Sequence, residues 1–208
     1  MATKKIDSIN EVLKNLCFSV KEVFESNTSS EVAFAPTAQK IPTTNLMPDI
    51  GGFVQFSGDF SALVVMNFPA AAAMEIYKHY MLSMGIPEEE LKQTHTSDEV
   101  PNALGELMNQ IIGRFRQKLE KQFGLYGTHN QPKAVGVSKT IVITIATGLN
   151  KPRCRRISFT TASGNQFYLE LAMEKTEFVP LFPVEVKDEE ETIDPDDIMA
   201  QLNLEDFQ

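Results

Sequence analysis

Between Leu104 and Leu119 apolar side chains recur every three or four positions. At about 100° per residue, Leu104, Leu107, Met108, Ile111, Ile112, Phe115 and Leu119 fall within about 140° of one another, the buried stripe of an amphipathic helix. On the same wheel Asn102, Glu106, Asn109 and Gly113 gather within about 60°, nearly opposite the stripe, and therefore face outward. Asp98 is the expected N-cap, Glu99 sits in the first turn and Pro101 needs no N–H there; Arg114, Arg116, Lys118 and Lys121 suit the C-terminal half of the macrodipole. The pattern predicts a helix over about 99–122.

The same spacing recurs near the N-terminus. Ile9, Val12, Leu13, Leu16, Val20, Val23 and Phe24 predict a packing helix over 6–25. Glu31 to Ala35 predicts a short strand, and the proline-punctuated stretch Pro36 to Pro48 a loop or irregular edge. Gly51 to Ser57 and Phe60 to Phe68 are apolar runs joined at Gly58-Asp59, a hairpin signal. Pro69 then opens an alanine-rich helix that ends at Gly85, with Met74, Tyr77 and Met81 expected in the core. After Pro132 the period changes: Ala134 to Val137, Thr140 to Thr147, Arg156 to Thr161 and Gln166 to Met173 are β-branched and aromatic runs, which predict consecutive antiparallel strands. The order of elements implies an α+β domain, helices packed on an antiparallel sheet, over about 1–182.

Composition adds one feature. The net charge of −9 is not spread along the chain: from Glu185 onward ten acids face Lys187 alone, leaving eighteen acids and eighteen bases before it. The body is neutral and carries no electrostatic footprint for nucleic acid. The run Lys151 to Arg156 is expected as a solvated hairpin end. Two cysteines form no framework and fit a reducing compartment; Lys4 and Lys5 lead into no apolar segment, and no apolar run approaches membrane-spanning length, so a cytoplasmic protein is expected without membrane contact. From about 183 the chain is too charged to pack, a linker expectation. Asp194-Pro195-Asp196-Asp197 then starts an amphipathic segment over about 195–207, with Ile198, Met199, Leu202 and Phe207 on its apolar side.

Phosphate-binding glycine loops and nucleophile elbows are absent, and His79, His95 and His129 stand apart without ligand spacing. They read as satisfied surface or core histidines. The outward face of the 99–122 helix has two readings: ordinary solvated residues, or a site in which Glu106 and Asn109 project side by side at i, i+3 and Gly113 lets a partner's backbone come close.

Glu106-Leu107-Met108-Asn109, followed after twenty-two intervening residues by Pro132, resembles the E-x-x-N…P signature of the CheC/CheX/FliY phosphatases of bacterial chemotaxis, loosely from about residue 5 to 175. Glu99-Val100-Pro101-Asn102 is a second E-x-x-N one heptad earlier, but Leu125 stands where its proline would be. Glu11 is followed three residues on by Lys14, so the N-terminal helix lacks the second site of CheC-like members and the chain is CheX-like. It departs from the family at Asn102, where Asp or Ser is usual four residues before the motif glutamate; a role for Asn102 in partner binding is open.

The resemblance implies a phosphatase for the aspartyl phosphate of a CheY-like response regulator. On that pattern Asn109 orients the attacking water, Glu106 docks on the regulator, and the regulator brings its own Mg²⁺, this chain binding none. It also implies a homodimer through sheet edges. The segment with Ile198, Leu202 and Phe207 resembles the acidic peptides by which CheZ and flagellar switch proteins hold CheY; a tail docked on its own domain is the other reading. A linker of about thirteen residues would span about 20 Å and give a tethered partner an effective concentration near mM. The alternatives to catalysis are a non-catalytic module that holds a regulator, and a structural dimer.

Overall fold

In the computed structural model, which describes residues 8–178, the two long helical patterns fold as read: α1 is Ser8–Thr28 and the central helix, α3, is Glu99–Phe123. Between them α2 spans Ala70–Ser83, with a short 3-10 turn at Glu88–Glu90. The strands are β1 (Val32–Phe34), β2 (Gln39–Ile41), β3 (Asn45–Leu46), β4 (Ile50–Gly58), β5 (Ser61–Phe68), β6 (Gly127–His129), β7 (Lys133–Gly136), β8 (Ile143–Thr144), β9 (Arg153–Thr161) and β10 (Gln166–Met173). Among the described residues eight strands make one antiparallel sheet in the order β1-β9-β10-β5-β4-β6, with β2 also on β9 and β7 also on β4, while β3 and β8 pair separately. This is an α+β fold with three helices packed on an antiparallel sheet.

The apolar stripes explain the layering. Ile9, Leu16 and Val20 of α1, Leu104, Leu107, Ile111 and Phe115 of α3, and Phe159, Phe167, Leu169 and Leu171 of β9 and β10 are all buried in one cluster. Phe68, Phe167 and Phe159 stack along that face, with centroids 5.3 and 5.0 Å apart. On the other face Leu63, Val65, Cys154 and Ala172 are covered by Leu46 and Val137. That cover is pinned by one charge: Glu170, fully buried, accepts from Arg156 Nη2 at 2.6 Å and Nε at 2.8 Å, and from the Asn45 N–H at 2.9 Å.

Four expectations need correction. The run Lys151 to Arg156 is not a solvated hairpin end: Arg153 onward lies in β9, paired on both sides, and Arg156 is consumed by Glu170. The strands after Pro132 are not consecutive; β7 adds to β4 and β8 to β3, and only β9 and β10 form a hairpin, because a strand pairs wherever an open edge lies beside it. Thr140 to Thr147 yields only Ile143–Thr144, since the rest finds no partner strand, while the loop read at Pro36 to Pro48 supplies β2 and β3. Asp98 occupies the N-cap position but is itself helical, with φ −59° and ψ −21°, and its side chain makes no capping bond. The domain end at 182, the linker, and Ile198, Leu202 and Phe207 lie outside the described residues.

Candidate functional site

The site is assembled by the way the chain returns from α3. Gly124, left-handed at φ 65°, ends the helix with its N–H on the Glu120 carbonyl at 2.9 Å. The Tyr126 N–H then bonds Asp59 Oδ2 at 2.7 Å, and the chain runs back along the open edge of β4 in two pieces. In the first piece His129 pairs with Phe56, and in the second Lys133 pairs with Phe53. Between them Asn130 bridges to Gln55, accepting its N–H at 2.8 Å and donating its own at 3.3 Å, and the ladder is interrupted at Gln131-Pro132. Proline has no N–H for the ladder, so it suits a strand start.

The other wall is the outward face of α3. The helix lies close because Gly52 of β4 leaves room: a Cβ there would collide with Met108 Sδ. Asn102, Gly105, Glu106 and Asn109 therefore face Gln131, Pro132, Lys133 and Ala134 across an open, polar cleft of ≈ 330 Å³. Residues separated by twenty-two positions in sequence meet across it. Gly113, half-buried one turn farther on, is outside the cleft, and a Cβ there would meet nothing within 4 Å.

Glu106 is exposed and has no ion-pair or hydrogen-bond partner among the described residues. Its charge reaches Tyr80: burial raises that phenol's pKa, and Glu106 adds to the rise, while Gln110 Nε2 donates to the Tyr80 hydroxyl at 3.5 Å. Asn109 is half-buried, and its Oδ1 lies 3.2 Å from His129 Nε2. Burial pulls the His129 pKa below the ordinary imidazole value, and Arg116 pulls it further. Sequence reasoning set His129 aside as isolated and did not single out Lys133 or Gln131. The only signal was that they flank Pro132, and their meaning depends on the return path.

The cleft offers an amide that both donates and accepts, a carboxylate and, on the opposite wall, an ammonium. It holds no thiol nucleophile. Cys17 and Cys154 are buried elsewhere, and burial pushes Cys17 up to about 12. Among the described residues no group of three or more His, Cys, Asp and Glu is placed to hold a metal ion, and no helix is long and apolar enough to cross a membrane.

A family model described as a protein of unknown function, DUF3334, matches residues 3–207. The chain belongs to this family. No curated protein matches it. Among solved structures, this DUF3334 chain is similar to the chemotaxis protein CheX of Desulfovibrio desulfuricans, with 18% identity, 79% of this chain and 99% of that one covered, and a TM-score of 0.64. It is similar to CheX of Vibrio vulnificus at 16% identity, covering 79% and 99%, with a TM-score of 0.63. A third likeness is the CheX–CheY–BeF3–Mg²⁺ complex of Borrelia burgdorferi, at 11% identity, 78% and 97% coverage and a TM-score of 0.59. At these identities the likeness establishes a CheX-like fold for this DUF3334 chain.

Proposed function

We propose that this protein is a phosphatase for the aspartyl phosphate of a CheY-like response regulator, acting through one site. The observation that carries the reading is the cleft, where Glu106 and Asn109 stand open to a second protein, opposite Pro132. A complex of CheX with CheY, BeF3 and Mg²⁺ exists on the same fold, which supports a regulator as the occupant.

On this reading the regulator brings both the phosphoryl group and Mg²⁺. Asn109 holds a water in line with the scissile P–O bond, and its uncharged amide adds no repulsion beside an anionic phosphoryl group. Attack breaks the bond to the aspartyl oxygen, releases inorganic phosphate and returns the carboxylate. Glu106, without an ion-pair partner among the described residues, is available to a cation on the regulator. An acyl phosphate hydrolyses unaided, so a hundredfold acceleration requires only about 2.7 kcal/mol, within the reach of positioning. Asn102, at the mouth of the same cleft, extends the contact surface. The tail beyond residue 183 and a dimer through sheet edges belong to the same proposal as a tether and a scaffold. Phosphate release from a phosphorylated regulator, with wild type, Glu106→Ala and Asn109→Ala, tests it. Equal release from all three would leave the site as a holding surface only.

A further inference from the structure

We infer that His129 is the positioning residue of this site, donating from Nε2 to Asn109 Oδ1 and fixing the amide that holds the water; this rests on the phosphatase reading above. The bond is 3.2 Å long and joins β6 to α3 across the edge of β4. Its direction follows from the surroundings. A carbonyl oxygen only accepts, so Nε2 carries the proton and Nδ1 is left as a bare lone pair. Nδ1 is buried and finds no partner among the described residues. Turning the amide over would make Nε2 the acceptor and place a buried N–H at Nδ1 with nothing to receive it, the costlier arrangement.

The consequence is specific. Asn109 Oδ1 has two lone pairs, and His129 takes one, leaving the second and both Nδ2 protons for ligands in the cleft. A free asparagine amide samples both orientations, whereas one anchored at Oδ1 presents a single pattern of donors and acceptor. The neighbours keep the anchor neutral. Phe56 opposes His129 on β4 and is apolar; the charge that reaches it is Arg116 on α3, which disfavours a second positive charge. Protonation would put an N–H at Nδ1 without an acceptor, so the bond to Asn109 is a neutral-imidazole device that weakens in acid.

The test uses full-length wild type with His129→Ala, His129→Gln and Asn109→Ala, and a CheY-like regulator phosphorylated by a small-molecule phosphodonor. His129→Ala is expected to lower the maximal rate of phosphate release about tenfold at unchanged half-saturation by the regulator, the pattern of a lost positioning contact. His129→Gln, which keeps a donor but does not titrate, should recover part of that rate and remove the acid-side fall from the pH profile. The side-chain amide resonances of Asn109 should shift in His129→Ala, and in wild type they should follow a titration below the ordinary histidine value. A wild-type rate in His129→Ala beside an inactive Asn109→Ala overturns the positioning role and leaves the site standing. Asn109 resonances identical in wild type and His129→Ala, or a Gln variant no faster than Ala, also overturn it. A wild-type rate in Asn109→Ala removes the phosphatase reading and the positioning role together.

Discussion

Helix α3 carries the same tetrad twice, and the two copies have different fates. Glu99 and Asn102 lie one heptad before Glu106 and Asn109, on nearly the same face. Yet Glu99 is spent inside its own chain: Tyr77 Oη donates to its Oε2 at 3.2 Å, and Lys92 Nζ lies 3.1 Å from its Oε1. Glu106, two turns later, has no such partner among the described residues and faces a cleft. What separates the copies is the partner segment. At the proline spacing the first copy has Leu125, which packs on the core beyond the far end of α3, and the second has Pro132, where the returning chain breaks its ladder; of the first copy only Asn102 reaches that cleft. A motif is a pair of side chains, whereas a site also needs an opposite wall.

The largest expected effect is on catalysis. Asn109→Ala should lower the stimulated rate of regulator dephosphorylation at least about a hundredfold, equivalent to about 2.7 kcal/mol, while Asn102→Ala changes it by less than threefold; parallel phosphate-release assays decide. If the two variants lose equal activity, the contrast between the tetrads collapses.

The opposite wall is tested through the seat of the helix. Gly52→Ala forces Met108 off β4 and should cost about 1–3 kcal/mol by chemical denaturation, as overpacking does, and should weaken the second tetrad more than the first because Met108 lies between Glu106 and Asn109.

Smaller effects follow from charge. His129 is held below its ordinary pKa in the fold, so as pH falls the unfolded chain takes the proton first. Its contribution to stability is complete above the unfolded value of about 6.5 and declines as pH drops toward the folded value. Denaturation series between pH 5 and 8 should show that decline in wild type and a flatter profile in His129→Gln. Least of all, Glu99→Gln should cost under about 1 kcal/mol and lose even that at high salt, because both members of the pair with Lys92 are about half exposed. A larger loss would mean that the first tetrad matters to the fold more than its exposure allows.

Much of this was legible in the residues themselves. The stripe from Leu104 to Leu119 is buried throughout, and Gly58-Asp59 does turn the β4–β5 hairpin. Such features depend on neighbours within a few positions, and local periodicity reports them. The strands after Pro132 were misassigned because pairing depends on which edge is open, and Asp98 was overvalued because a capping residue type does not ensure capping geometry. His129 was missed for the same reason as β6: Gly127–His129 is too short to carry a pattern and has meaning only against Phe56 and Asn109.

By itself, then, the sequence determined which helix is central, which of its faces is buried and which two polar side chains point away, since helical spacing alone sets those directions. The tertiary structure decided that only one of two E-x-x-N tetrads turns both of its polar side chains into the cleft, and that a histidine holds its asparagine. Both depend on where the chain returns after Gly124, a long-range matter of edges and packing that no local spacing encodes.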